Sequence, residues 1–550
     1  MEFTPTRRSG ELAHGRRFTR RRLVGGMAAL GAAAVAPGSL GRGPALAAPA
    51  RQDGPNRIVV ASGADAVTLD PHVSFDGQSP LLWRASYETL AKYKGDTLEI
   101  APHLAERIDV SEDGLTYTFK MRPNVTFTDG EPLNAAAAKF SIERQIGVKQ
   151  GIAYALEPVA SMDTPDPMTL VITLSSFADG FLSVFSSLYS PYIISPKAIK
   201  DHAQGDDWAQ DWLRENMVGT GPYVLEGYTK AQKAAFSRNP NYWQGWEGAH
   251  ADQALVAYVT EPSSERLMLE KGQVDFAFFL PEDTVEGLVG TDGITVTDLP
   301  SFNQYYLALP CKSGPTADKK VRQAISHGFD YQSFIDNTMG GHAKLARGPL
   351  PSTFVGFDAN LPQYTYDPAK AKQLLAEAGY PDGGFTIKYT YETGYAWKRP
   401  MGELFQANMK DLGIGVEIQE LTPSAWADLL SNPETADHAY GIVWWPSLKT
   451  PYDYLFTLYA TAAQGTAGYN WGYYSNPEFD DLIDRAWAEP DEAKRVALWN
   501  KAQQILVDDA PALFVFERNY RTPIRDDVEG FVFNGFYIET VDWYAVHKRS

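Results

Sequence analysis

Cysteine is almost absent from this 550-residue sequence, since Cys311 is the only one and no intramolecular disulfide can form. That excludes the small, disulfide-stapled class of secreted domains. A chain of this length can instead bury an extensive apolar core. Long apolar runs are also missing: beyond Ala48 none approaches 18 residues, which argues against a membrane-spanning helix there. The nine histidines are scattered, with no HxH or HxxxH pair, so no metal motif is written in the sequence and neither a metal nor another cofactor is expected. A nucleophile elbow, an HExxH segment, a P-loop and a GxGxxG turn are lacking as well. A carboxylate pair in some defined context is the one hydrolase feature left open, and an exported hydrolase is a rival reading that saturable binding without turnover would exclude.

Positive charge is short. Lys and Arg number 49 against 68 Asp and Glu, a net charge of −19. Residues 1–47 hold eight of the basic residues and two of the acidic ones, so the remainder stands at −25. Nucleic-acid binding relies on neutralising phosphates with Lys and Arg, and this balance opposes it. What is present is an ordinary globular composition, 44% hydrophobic and 21% charged, rich enough in apolar surface to offset chain entropy outside the ends.

The first 47 residues read as an export signal. Seven arginines between Arg7 and Arg22 precede an almost uncharged stretch from Leu23 to Pro37, and Ala45-Leu46-Ala47 supplies a small-residue cleavage site after Ala47. Thr19-Arg20-Arg21-Arg22-Leu23-Val24 resembles the twin-arginine pattern. No Cys adjoins the cleavage point, so the expectation is a periplasmic protein without a lipid anchor.

From residue 57 onward short strand patterns alternate with amphipathic segments, predicting an α/β protein. Strands are expected at Arg57–Ser62, Thr116–Arg122, Thr169–Leu174, Ala254–Val259, Thr386–Tyr391, Val416–Glu420 and Leu513–Glu517. Helices are expected at Asn134–Gln145, Ser263–Lys271, Lys319–Phe329, Pro368–Ala378, Trp397–Asp411, Pro477–Ala488 and Glu492–Asp508. Asp367-Pro368 and Asn476-Pro477 each pair a capping side chain with a proline at the first helical position. Tight turns are marked by Asp113-Gly114 and Asp129-Gly130.

Several blocks then carry a literal resemblance. LAERIDVSEDGLTYTFKMRPNVTFTDGEPLNAAAAKFSIER runs from Leu104 to Arg144, and YDPAKAKQLLAEAGYPDG from Tyr366 to Gly383. With Gly219–Tyr223, Asn239–Trp243, Lys271–Asp275, Val321–Asp330 and Tyr474–Asp480, in that order, the chain resembles family 5 of the extracellular solute-binding proteins, the peptide, nickel and opine binders of ABC importers. The resemblance spans about residues 57 to 547. It implies the large, three-domain variant of the type II periplasmic-binding-protein fold, with a ligand cleft between two lobes. On that template lobe I is 57–90, 216–300 and 513–550, a subdomain inserted in lobe I is 91–215, and lobe II is 301–512. A monomer that delivers a small molecule to the transmembrane subunits of an ABC permease is implied. A sensory or chaperone-like binder on the same fold is the alternative.

The resemblance also implies where the ligand sits. Peptide-binding relatives carry an Asp, placed after a Gly-Trp pair, that holds the ammonium of the bound peptide. Over Gly441–Pro451 the corresponding position is Ser447, with Lys449 two residues on. An ammonium there lacks a charge-assisted partner, a loss of about 1.5–3 kcal/mol. Asp453 and Asp437 are the other acids open to that role. The expectation is an uncharged or anionic solute, such as an oligosaccharide, an opine or another metabolite, with di- and tripeptides bound more weakly than ~10 μM. Trp444 and Trp426 fall at ligand-lining positions, with Trp445 beside them. Ser74, Phe75 and Asp76 contribute from lobe I, Asn303 from a crossing strand, and Tyr189 from the inserted subdomain.

Overall fold

A computed structural model describes residues 56–549 apart from residue 279. The expected export signal lies outside the described residues. Two large sheets organise the rest. The first has seven strands, in the spatial order Ile294–Val296, Pro523–Arg525, Phe276–Ala277, Arg57–Ser62, Gln253–Tyr258, Lys233–Arg238 and Tyr223–Thr229. The second has six, in the order Ala343–Leu345, Ala512–Arg518, Gln304–Ala308, His438–Trp444, Thr386–Glu392 and Gly415–Leu421. Each anchors one lobe.

The central strands are buried on both faces, which is why they read as unbroken apolar runs. In Arg57–Ser62, Ile58 and Val60 enter one core cluster while Val59 and Ala61 enter another. In Gln304–Ala308, Tyr306 and Ala308 face one cluster, Tyr305 and Leu307 the other. This is the two-residue alternation of a strand between two layers.

A four-stranded antiparallel sheet, Ala105–Val110, Thr116–Met121, Thr169–Leu174 and Val159–Asp166 in spatial order, forms the inserted subdomain with the helix Ala135–Val148. Gly114 turns its first hairpin at φ 68°, and the Asp113 carboxylate accepts the Leu115 N–H at 3.0 Å. Asn134 caps the helix by accepting the Ala137 N–H at 2.9 Å. The subdomain shares one core with the seven-stranded lobe, joining Phe119 and Phe185 to Trp83 and Trp543.

Strand Ala512–Arg518 departs from the expected partition. It pairs with Gln304–Ala308 and Ala343–Leu345 in the six-stranded sheet, so lobe I does not resume at residue 513. The chain crosses between lobes twice, after Leu299 and after Arg518. The two crossings are themselves paired, Leu299 and Tyr520 exchanging N–H···O bonds of 3.1 and 2.7 Å. Ser301 Oγ donates to the Arg518 carbonyl at 2.6 Å. Ion pairs flank this hinge: Arg518 with Glu282 at 3.0 Å, Arg521 with Glu282, and Arg521 with Glu286 at 2.8 Å. Among the described residues no helix is long and apolar enough to cross a membrane.

Candidate functional site

Lobe I presents the loop after strand Arg57–Ser62. Asp70 is fully buried and held by Arg144 of the capped helix through two hydrogen bonds of 2.8 and 2.5 Å. Gln145 Nε2 donates to the His72 carbonyl at 2.9 Å, so one helix face fixes the loop's course. The loop then spends its polar groups locally. Asp76 Oδ1 accepts the N–H groups of Gln78 and Ser79 at 3.0 and 2.7 Å, at the start of helix Ser79–Ser86, and Oδ2 accepts the Ser74 hydroxyl at 2.7 Å. Phe75 leans on Tyr189 with ring centroids 4.7 Å apart. The Tyr189 hydroxyl donates to the Asp76 carbonyl at 3.2 Å and accepts from Trp445 Nε1 at 3.1 Å. That chain of two bonds ties lobe I, the inserted subdomain and lobe II together.

Lobe II contributes the end of strand His438–Trp444 and the turn after it. Asp453, in the first turn of helix Tyr452–Tyr459, organises that turn. It accepts the Ser447 N–H at 2.9 Å, Trp444 Nε1 at 3.2 Å and the Tyr154 hydroxyl at 3.0 Å. Burial pushes its carboxyl up to about 6, against the pull of those hydrogen bonds. Asp453 is therefore a scaffold for the turn, with no exposed oxygen for a ligand. Asp437 pairs with Lys388 at 3.1 Å on an exposed surface. Lys449 is tied to the inserted subdomain, its ammonium donating to the Leu98 carbonyl and its N–H to Ser183 Oγ, both at 2.9 Å.

The sequence-predicted residues divide accordingly. Ser74, Phe75, Asp76, Tyr189, Trp444 and Trp445 belong to one connected set of bonds and ring contacts that also includes Asp453, Tyr154 and Ser447. Asn303 is buried on the crossing segment, and its Oδ1 has no hydrogen-bond partner among the described residues. Trp426 is placed differently. Its indole is buried against Tyr440 and Trp471, donates to the Thr390 carbonyl at 3.4 Å, and is covered by the Lys398 ammonium at 4.6 Å. It packs inside lobe II.

The structure adds residues that sequence reasoning missed. Glu539 sits on the C-terminal segment at φ 55°, with its N–H bonded to the Tyr520 hydroxyl at 3.1 Å. One carboxylate oxygen lies 2.9 Å from where a Cβ on Gly77 would stand, and the Trp445 ring lies 3.9 Å from that same point. Burial raises the Glu539 carboxyl to about 8, with the Arg518 charge opposing. Tyr395 of lobe II is raised first by burial and then by Glu539, with Asp76 a smaller contributor, so the field of lobe I reaches across to lobe II. Tyr469, 5.1 Å from Trp444, is likewise raised by burial and by Asp76. No motif marks Glu539; only the fold brings it beside Gly77. Among the described residues no group of three or more His, Cys, Asp or Glu is arranged to hold a metal ion.

Two lobes, two paired crossings and polar and aromatic groups meeting from both sides define a binding protein of the two-lobed periplasmic type. Comparison with known proteins gives the family. The family model of the bacterial extracellular solute-binding proteins, family 5, matches residues 99–466, and the chain belongs to that family. It is 31% identical to the probable D,D-dipeptide-binding periplasmic protein DdpA of Escherichia coli (strain K12), over 87% of this chain and 91% of that one. It is 28% identical to the glutathione-binding protein GsiB of Salmonella typhimurium, over 88% and 91%. The periplasmic binding protein DppA of Helicobacter pylori, solved with the peptide STSA, superposes with a TM-score of 0.80 at 26% identity, covering 90% of this chain and 98% of the other. The protein is thus a periplasmic substrate-binding component of an ABC importer, which captures a small solute for a membrane permease and is not an enzyme.

Proposed function

We propose that the solute is held between the two lobes, touching Phe75 and Asp76 from lobe I, Tyr189 from the subdomain, Trp444 and Trp445 from lobe II, and Asn303 from the crossing segment. The observation that carries this reading is the Asp76–Tyr189–Trp445 chain, which joins three segments far apart in sequence. Asn303 supports it, because a buried unpaired carbonyl oxygen is costly unless a ligand donates to it. On the same reading lobe I comprises 57–90, 216–298 and 519–549, the inserted subdomain 91–215, and lobe II 304–518, with 299–303 forming the first crossing.

We further propose that the solute is small and peptide-like, as the dipeptide-binding and glutathione-binding relatives suggest. Ser447 and its bound Asp453 offer an ammonium no free carboxylate, so a peptide held in that orientation binds weakly. Trp445→Ala is expected to weaken binding of the protein's solute by about tenfold or more, from loss of ring contact and of the Tyr189 bond. Calorimetric titration of wild type and variant, using the ligand identified by native mass spectrometry of gently purified protein, checks this. Unchanged affinity would place the solute elsewhere.

A further inference from the structure

One carboxyl group of lobe I stands beside the Gly77 loop and the Trp445 ring. Glu539 is the carboxylate in question, and three geometric facts single it out. Its backbone stands in the left-handed region, which a non-glycine side chain enters at a cost that surrounding structure must offset. Its carboxylate lies so close to Gly77 that a methyl group at residue 77 would collide with it. And among the described residues its carboxylate takes part in no hydrogen bond or ion pair, although both Asp76 and Asp453 nearby are occupied by theirs.

We propose that Glu539 is the anionic subsite of the cleft, and that it binds a positively charged nitrogen of the solute between the Gly77 loop and the Trp445 ring. The inference rests on the interlobe reading above and deepens it, by assigning the solute an ammonium and giving that ammonium a partner on lobe I. It revises the expectation of an uncharged or anionic solute, which rested on the lobe II segment alone.

The surroundings suit the role. The Trp445 ring edge stands 3.9 Å from a Cβ placed on Gly77, and the charge of Glu539 reaches the buried Tyr189 and Tyr395 hydroxyls. The charged and titratable groups coupled to Glu539 are Arg518 at the end of its strand and Tyr189, Tyr395 and Tyr520, with Asp76 of the loop acting on the same Tyr189 and Tyr395. Only Arg518 opposes a second cation, and it is already engaged by Glu282 and by the Tyr305 hydroxyl. With its carboxyl raised to about 8 by burial, Glu539 is mostly protonated in the empty protein at pH 7. An arriving ammonium draws the carboxylate form, so binding releases a proton into solution.

The test uses matched pairs in which only the amine changes: D-alanyl-D-alanine, alanyl-alanine and glutathione, each against its N-acetyl derivative. Wild type, Glu539→Gln, Gly77→Ala and Trp445→Ala are titrated by calorimetry at pH 7, in two buffers of different ionisation enthalpy. Wild type should prefer the free amine by about tenfold or more in at least one pair and release close to one proton on binding it. Glu539→Gln should lose both the preference and the proton release. Gly77→Ala, which keeps the charge but displaces it, should weaken the free amine selectively. A free-amine preference that survives in Glu539→Gln, or no preference in any pair, would overturn the assignment. Loss of binding to both members of a pair in Trp445→Ala would uphold the cleft even then. Binding untouched by Trp445→Ala would overturn the cleft itself, and no binding to any of the six compounds would overturn the peptide-like solute and this subsite with it.

Discussion

Asp453 illustrates how one buried carboxylate can shape the turn after a strand by accepting three hydrogen bonds while exposing no oxygen. Its native pKa of about 6 lies above the ordinary 3.8, so its charged form is disfavoured in the folded state. The sign follows: the contribution of this group to stability is fully present below about pH 4 and is lost as pH rises through 6. Asp453→Asn removes that titration while keeping an acceptor for the Ser447 N–H. Relative to wild type, the variant is expected to gain on the order of 2–3 kcal/mol between pH 4 and pH 7, measured by thermal unfolding across that range. A pH-independent difference would count against the burial argument. The residue-scale site was legible only where local patterns or resemblance pointed to it. Asp76, Tyr189, Trp444 and Trp445 lie in such segments. Glu539 sits in an unremarkable stretch more than 450 residues from Gly77, and no spacing rule connects the two. Trp426 had the right position in the segment, yet an indole this close to Lys398 and Trp471 is claimed by the interior.

At the scale of elements, helix Ala135–Val148 does two separable jobs. Its start is set by the Asn134 cap, and its body carries Arg144 and Gln145, which hold the loop at residues 70–76. Arg144→Met strands the buried Asp70 carboxylate and is expected to cost on the order of 3–5 kcal/mol, with faster amide exchange across 70–76. Asn134→Ala is expected to cost only about 1 kcal/mol and to leave that loop protected. Hydrogen exchange followed by mass spectrometry separates the two, and equal loosening of the loop in both would refute the division of labour. Helices and central strands were legible because their signals are local: Asp367-Pro368 opens the helix Pro368–Glu377, and Asn476-Pro477 opens Pro477–Trp487. Strand Ala512–Arg518 was legible as a strand but not as a member of its sheet. Its partners stand about 170 and 210 residues upstream, and pairing at that range leaves no trace in a neighbouring pattern.

For the whole molecule, solute held by both lobes favours the closed arrangement by the difference in its affinity for the two forms. At one hundred times the dissociation constant it should stabilise the protein by about 2.7 kcal/mol, read as a rise in the unfolding midpoint. Small-angle scattering should show a smaller radius of gyration at saturation; no change in either would oppose closure on the solute. The paired crossings bear on how that closure proceeds. Two separate strands would let the lobes twist, slide and bend independently, whereas Leu299 and Tyr520, bonded to each other in both directions, act like two screws through one hinge plate. Pairing of this kind opposes independent twisting of the two crossings and favours a single swinging coordinate. Distances between labels on the two lobes should accordingly fall into two sharp populations exchanged by solute, and one well-chosen pair of labels suffices to follow the entire capture cycle.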